Sequence, residues 1–308
     1  MNPAKGREIR ERLNPHIGFF YAVDHILERR QTPFQLAELV ETPAFGRVLL
    51  LDGITQVSEQ WEYRYHEPMV HPALLAHPDP KQVLIIGGGD GGILREVLLH
   101  TTVTHVDLVE LDEAVVEFAH AQLQHVHQGG FDDPRVQLHY HDGRTFVENS
   151  RQHYDAIIMD MTDPSGPSCR LYTKEFFQAV AAKLHPGAVF VMHGESPIMR
   201  PAAWACIDRT LSAVFPRLCT ATCFVPMYAT LWSFRYAGSG RLPVDLSPLE
   251  VESFLLRRLL RPPQLTTPAM WPALFAPDPV LAAAAVHPDG RLILDSAPDF
   301  PDSFDPRG

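Results

Sequence analysis

The chain is poor in basic residues and cysteine, and it has no long apolar run. Lys and Arg number 26 against 37 Asp and Glu, a net charge of −11 over 308 residues. No Lys/Arg run offsets that balance, so nucleic acid is an unfavourable partner and a cationic ligand a favourable one. No stretch approaches the ~18 consecutive apolar residues of a membrane helix. The opening MNPAKGREIRERLNPHIGFF carries charges with no signal-like apolar core behind them. Neither a membrane partner nor a secretory route is expected, and the cytosol is the expected compartment. Cys169, Cys206, Cys219 and Cys223 form no C-x-x-C or metal spacing. Cys219 and Cys223 fall on one face of a β-like segment and read as buried thiols.

What is present is a globular composition, 45% hydrophobic and 20% charged. Short β segments run from Phe19 to about Val57, with turns at Gln31-Thr32-Pro33, Pro43/Gly46 and Asp52-Gly53. This predicts a small antiparallel N-terminal domain, residues 1–76, closed by a helix over 60–76. His77-Pro78-Asp79-Pro80 breaks the chain. From Lys81 the pattern turns to β-α-β-α, beginning with VLIIG, an apolar run suited to a strand buried on both faces. HVDLVEL, RVQLHYHD, YDAIIMD and GAVFVMHG read as further parallel strands, and RLCTATCFVPM with TLWSFRYAG as a closing hairpin. The expectation for residues 77–240 is therefore an α/β domain with a Rossmann-like, mostly parallel seven-stranded sheet, as in class I methyltransferases. Residues 241–308 form a C-terminal extension packed on it, with a helix opened by the capping box Ser247-Pro248-Leu249-Glu250.

Gly87, Gly89 and Gly92 fit G-x-G-x-x-G between a strand and a helix, where backbone N–H groups can approach a ligand. Glu110 ends the next strand, near the ~20-residue offset of an acid that grips ribose hydroxyls. Asp90 lies inside the loop, where a pyrophosphate would meet like charge, so dinucleotides are disfavoured. S-adenosylmethionine carries an amine and a carboxylate at that point, whereas its decarboxylated form keeps only the amine, which suits Asp90 best. The competing role for Asp90 is to cap the helix. Asp142, positioned to accept from an adenine amino group, Asp160 and Asp163 also map beyond the carboxyl ends of strands, where open α/β sheets bind ligands.

These residues, with Phe34-Gln35, LDGITQ (51–56), Tyr65-His66-Glu67, LIIGGGDGGILREV, Val109-Glu110-Leu111-Asp112, Asp142-Gly143, Asp160-x-x-Asp163-Pro164-x-Gly166-Pro167 and Pro226-Met227-Tyr228, resemble the polyamine aminopropyltransferases, the spermidine synthase family. The resemblance covers about residues 19–237. It implies decarboxylated S-adenosylmethionine as co-substrate, methylthioadenosine as product and no tightly bound cofactor. It assigns Gln35, Glu110, Asp142, Gly143 and Pro167 to the nucleoside, and Gln56 and Asp90 to the aminopropyl chain. Tyr65, His66, Asp163 and Tyr228 are assigned to the acceptor amine, with Asp160 as base. It further implies a small di- or polyamine partner and a homodimer or tetramer.

His193-Gly194-Glu195 stands where spermidine synthases usually have Gln-Gly-Glu, which adds His193 to the acceptor positions. Tyr228 is followed by Ala-Thr-Leu-Trp, closer to the thermospermine synthase branch, so a longer or substituted amine competes with putrescine. The sixteen histidines include His139-x-His141 and His125-x-His127, but no carboxylate or cysteine completes either at ligand spacing, and no metal is expected. The alternatives are a methyltransferase using intact S-adenosylmethionine, which Asp90, Asp160 and Asp163 argue against, and a lapsed nucleoside-binding homologue.

Overall fold

The computed structural model of the chain describes residues 2–164, 166–304 and 307, with the backbone alone for 2–5, 166 and 167. The N-terminal sheet is an antiparallel meander of β1 (Asn2–Asn14), β2 (Ile17–Gln31), β3 (Leu36–Thr42), β4 (Gly46–Leu51) and β5 (Ile54–Ser58). Asp52 and Gly53 both take positive φ, 50° and 83°, the geometry of the two-residue hairpin turn that their sequence predicts. Reading the unit from Phe19 misses β1 altogether. Six of its thirteen residues are charged, and it buries only Ile9 and Glu11 among its described side chains. Ala37, Leu39, Leu49 and Val57 face the rest of the molecule, while Ile9, Tyr21, Val40 and Leu50 form a separate cluster on the other face.

The second sheet has the order β11-β12-β10-β9-β6-β7-β8, built from β6 (Gln82–Gly87), β7 (His105–Glu110), β8 (Val136–Tyr140), β9 (Tyr154–Asp160), β10 (Leu184–His193), β11 (Arg217–Val225) and β12 (Thr230–Gly238). Five strands are parallel and the last two form an antiparallel hairpin, as expected. β6 lies between β7 and β9, with Ile86 opposite Val109 and Gly87 opposite Asp160. Strand order reverses at that point, so the loops after β6, β7 and β9 diverge and leave a crevice at their carboxyl ends.

The helix Tyr63–Ala76, expected to close the small domain, packs on the large sheet instead, its Met69 and Leu74 sharing a core with Ile85 and Val189. It contains two prolines, and Pro72 has no N–H to give the carbonyl of Pro68. The Tyr236 hydroxyl satisfies that carbonyl at 2.5 Å. Glu67, fully within the same helix, accepts from the backbone N–H groups of Gln264, Leu265 and Thr266 at 2.6–3.0 Å, anchoring the C-terminal segment. The extension opens as predicted: Ser247 Oγ accepts from Glu250 N, and Glu250 Oε2 from Ser247 N. It then returns across the large sheet's helices, where Arg144 forms two hydrogen bonds to Asp295 and Thr210 Oγ1 accepts from Ile293 N. Among the described residues no helix is long and apolar enough to cross a membrane.

Candidate active site

The carboxyl ends of β6, β7 and β9 and the start of the helix Gly143–Asn149 open on a cavity of about 560 Å³. Gln35, Gln56, Tyr65, His66, Asp90, Glu110, Asp142, Gly143, Asp160 and Tyr228 all line it, so ten of the expected site residues converge there. The glycine loop is shaped first by the site's own walls. A Cβ on Gly87 would lie 2.0 Å from the Asp160 carbonyl oxygen, and one on Gly92 would lie 2.1 Å from the His66 ring.

Asp90 takes the capping role and still lines the cavity. Oδ1 accepts from the Gly92 backbone N–H at 2.7 Å, steadying the helix start, while Oδ2 lies 3.9 Å from His66 Nε2. His66 Nδ1 meets Glu62 at 2.5 Å, and Arg95 binds the same Glu62 oxygen at 2.8 Å. Burial disfavours a charged ring, but Glu62 and Asp90 outweigh it and hold the His66 pKa above its ordinary value. His66 thus lies buried between two carboxylates that favour its protonated form.

Asp160 ends β9, with Tyr65 donating its hydroxyl to Oδ1 at 2.7 Å. Burial and the charge of Asp90 push its pKa up to about 6, with His66 and Tyr65 opposing. Burial, with Asp160 beside it, drives the Tyr65 pKa well up, so its hydroxyl stays a donor. Glu110 is raised to about 7, chiefly by burial, although it accepts from the Asp112 N–H at 3.0 Å. Asp142 sits at the exposed rim, its Oδ1 capping the following helix through Thr145 N. Gln35 Nε2 and Thr32 Oγ1 both donate to Asp112 Oδ2, at 3.2 and 2.6 Å, latching the N-terminal sheet over the cavity.

A second chamber of about 360 Å³ adjoins the first, and Gln56, Tyr65, Met161, Thr162 and Tyr228 belong to both. Tyr228 stands edge-on to Tyr65, their ring centroids 5.8 Å apart, and donates its hydroxyl to the Gln56 carbonyl. Asp163 and His193 line this chamber rather than the first. His193 Nε2 reaches the Met161 carbonyl and the Tyr172 hydroxyl, both at 2.9 Å, and that hydroxyl donates to the Thr162 carbonyl. Nε2 therefore carries the proton. The lone pair on Nδ1 is buried without a hydrogen-bond partner among the described residues, and burial keeps the ring neutral. The side chain of Pro167, assigned by resemblance to the nucleoside, lies outside the described residues.

Sequence reasoning missed Glu11, Glu195 and Arg200 as members of this chamber. Glu11 arrives from the unrecognised β1, accepts from Thr55 N and Oγ1, and is raised to about 7 mainly by burial. Glu195 is buried at φ +64°, a strained setting for a side-chain-bearing residue, with its carbonyl held by Ser233 N and Oγ at 3.2 and 2.7 Å. Its presence in the His-Gly-Glu departure was the available signal. Ligand-capable atoms of Asp163, His193 and Glu195 fall within 4.8 Å of one another, but Arg200 Nη1 lies 3.2 Å from Glu195 and supplies positive charge there already. A carboxylate does reach His139: Asp107 accepts from it at 2.7 Å and from the Tyr154 hydroxyl at 2.9 Å, in a polar cluster away from both chambers. The cysteines are free, and burial raises the Cys219 and Cys223 thiols to about 12.

Comparison with known proteins agrees over most of the chain. Residues 62–247 match the family described as the spermine/spermidine synthase domain, and residues 8–59 the spermidine synthase tetramerisation domain. A polyamine aminopropyltransferase of Nitrosomonas europaea is 41% identical over 245 residues, 80% of this chain and 75% of that protein. Polyamine aminopropyltransferase 2 of Hyperthermus butylicus is 42% identical over 239 residues, 77% of this chain and 78% of its own. Among solved structures, a spermidine synthase in complex with the transition-state analogue AdoDATO superposes with a TM-score of 0.85 at 33% identity, covering 92% of this chain and 96% of that one. The spermidine synthase of Thermotoga maritima gives 0.84 at 32% identity with the same coverage.

Proposed function

The chain belongs to the spermine/spermidine synthase family and is a polyamine aminopropyltransferase, and from that premise we propose which groups perform the transfer. Decarboxylated S-adenosylmethionine occupies the larger cavity as co-substrate. Gln35, Glu110, Asp142, Gly143 and Pro167 hold its nucleoside, and Gln56 and Asp90 its aminopropyl chain. The acceptor, a di- or polyamine, enters through the smaller chamber past Asp163, His193, Tyr65 and Tyr228. The observation that carries this reading is the junction of the two chambers at Tyr65, whose hydroxyl is bonded to Asp160.

The carbon next to a sulfonium is attacked in line by a neutral amine. The new C–N bond forms as the C–S bond breaks, and neutral methylthioadenosine leaves. Positive charge passes from sulfur to nitrogen, so a carboxylate fixed at the nitrogen favours the transition state over the ground state. Asp160 is that carboxylate and accepts the proton released by the new ammonium. Its raised pKa is itself a consequence of burial beside Asp90. A cationic donor relieves that repulsion and leaves Asp160 ionised for its role. Asp90 recognises the donor's ammonium, and the Gly92 N–H and the nearby His66 ring hold Asp90 in place. Tyr65 and Tyr228 give the reacting nitrogen apolar walls that favour its neutral form.

The match to a tetramerisation domain indicates an oligomer, which we take to be a homodimer capable of pairing into a tetramer. We assign it to the cytosol, in keeping with its free thiols. The deciding experiment incubates the purified protein with either decarboxylated or intact S-adenosylmethionine and with putrescine, cadaverine, agmatine or spermidine. Mass spectrometry should find an aminopropylated amine and methylthioadenosine from the decarboxylated donor alone. Methylated amine from the intact donor, with no aminopropylated product, would overturn the reading.

A further inference from the structure

The C-terminal segment that the sequence leaves unexplained reaches the second chamber. Phe304 lines it together with Glu11, Asp163, Glu195 and Arg200. Its ring lies against the Arg200 guanidinium, 5.4 Å from Arg200 Cζ to the ring centroid. Two residues earlier, Asp302 Oδ2 accepts from Ala203 N at 3.2 Å in the first turn of the helix Pro201–Ser212, while Oδ1 accepts from Arg200 Nη2 at 3.5 Å. Phe300 is buried edge-on against Tyr172, whose hydroxyl meets His193 at 2.9 Å. Arg200 in turn spans the chamber's charged wall, with Nη1 3.2 Å from the buried Glu195 and 3.9 Å from Asp163. One guanidinium thus joins the tail to both carboxylates, and its own Nε is buried without a hydrogen-bond partner among the described residues.

We propose that residues 300–304 are a built-in part of the acceptor site: Phe304 closes the far end of the chamber and limits the length of the amine, and Asp302 positions Arg200 so that Glu195 and Asp163 keep their places. This rests on the reading of the second chamber as the acceptor's. The physical case is one of economy of charge. A cation held inside an amine-binding chamber would repel the substrate if it were free to swing toward it. Anchored by Asp302 on one side and by an aromatic face on another, it instead spaces the carboxylates that an ammonium must meet. Asp302 also sits at a helix N-terminus, where its charge is favourable, so the anchor is stabilised independently of substrate.

The test compares Phe304→Ala, Asp302→Asn and Asp163→Asn in the full-length protein, with kcat and KM measured for putrescine, for spermidine and for the donor. Phe304→Ala should raise the kcat/KM ratio of spermidine to putrescine by about 10-fold or more, the low end of what one methylene is worth in an apolar pocket. Asp302→Asn should raise the KM of both amines by about 5-fold or more, in line with losing a charge-assisted contact, while the donor KM holds and Tm falls only slightly through the lost charge at the helix N-terminus. Unchanged amine selectivity in the first variant and unchanged amine KM in the second would overturn the proposal. If Asp163→Asn alone raises the amine KM, the chamber still binds the acceptor and only the tail's role has failed. If all three leave it unchanged, the amine binds elsewhere and both readings fall.

Discussion

The Tyr65 hydroxyl lies 2.7 Å from Asp160 Oδ1, at the junction of the two chambers. A phenol kept protonated by burial donates to a carboxylate whose pKa burial has raised, so each group fixes the state the other needs. Asp160→Asn should lower kcat by ~10²–10⁴-fold, the usual worth of a positioned base, with little change in donor KM. Tyr65→Phe should be milder but diagnostic. The lost hydrogen bond had stabilised the ionised carboxylate, so the acid limb of the rate profile should move to higher pH. Steady-state kinetics across pH on both variants provides the check, and an acid limb unmoved in Tyr65→Phe would argue against this coupling.

The pH dependence of the wild-type enzyme has a definite sign. On the proposed reading the chemical step requires an ionised Asp160 and donor capture an ionised Glu110, and in the protein these are raised to about 6 and about 7. Because kcat/KM for the donor reports the free enzyme, it should climb as pH rises through 6 to 7 and then level. Glu110→Gln should remove the upper part of that climb. Measuring donor kcat/KM from pH 5 to 9 in both proteins would decide, and identical profiles would exclude a titrating Glu110.

Asp90 should govern which sulfonium is accepted. Its Oδ2 faces His66 and the cavity, while Oδ1 is committed to Gly92 N. Asp90→Asn keeps an oxygen for the cap but removes the charge proposed to meet the donor's ammonium and to repel the carboxylate of intact S-adenosylmethionine. The donor KM should rise by about 10–100-fold, and the affinity gap between the two sulfonium compounds should narrow by a similar factor. Calorimetric titration with each compound measures both effects. A gap as wide in the variant as in the wild type would mean that another group discriminates.

Much of this site was legible because its chemistry is carried by strand ends. VLIIG is an apolar run suited to a doubly covered parallel strand, HVDLVEL and YDAIIMD follow it in a β-α-β order, and each delivers its terminal or following polar residue to the same crevice: Asp90 beyond one, Glu110 and Asp160 at the ends of the others. Asp52-Gly53 and Ser247–Glu250 were legible for the same local reason, since a turn and a cap are settled within four residues. β1 was not legible because an edge strand need bury only every second side chain, and Glu11 is one of those it buries. Its role depends on Thr55, which no local pattern connects to it. Arg200 and the tail were hidden likewise, since a Pro- and Ala-rich segment shows no period and its contacts lie about a hundred positions away. The helix Tyr63–Ala76 was read correctly as a helix but assigned to the wrong neighbour, because amphipathic spacing reports that a face is buried and not against what.

Glu67 supplies the last prediction, because it separates what a motif carries for chemistry from what it holds for structure within this one chain. It follows Tyr65 and His66 directly, yet it lines neither chamber. Its two oxygens accept from three successive backbone N–H groups, Gln264, Leu265 and Thr266, and from the Thr266 hydroxyl at 3.2 Å. The residue is buried, so an uncharged or shortened substitute leaves donors without a partner and without water. Glu67→Ala should therefore cost about 1–3 kcal/mol or more of stability, and Glu67→Gln somewhat less. Both should lower Tm and speed proteolysis around residues 260–270, while the KM values for donor and amine in the folded fraction stay within about twofold of wild type. Thermal unfolding beside steady-state kinetics tests this directly. A Glu67→Gln enzyme with unaltered Tm and a raised KM would make Glu67 part of the binding site after all.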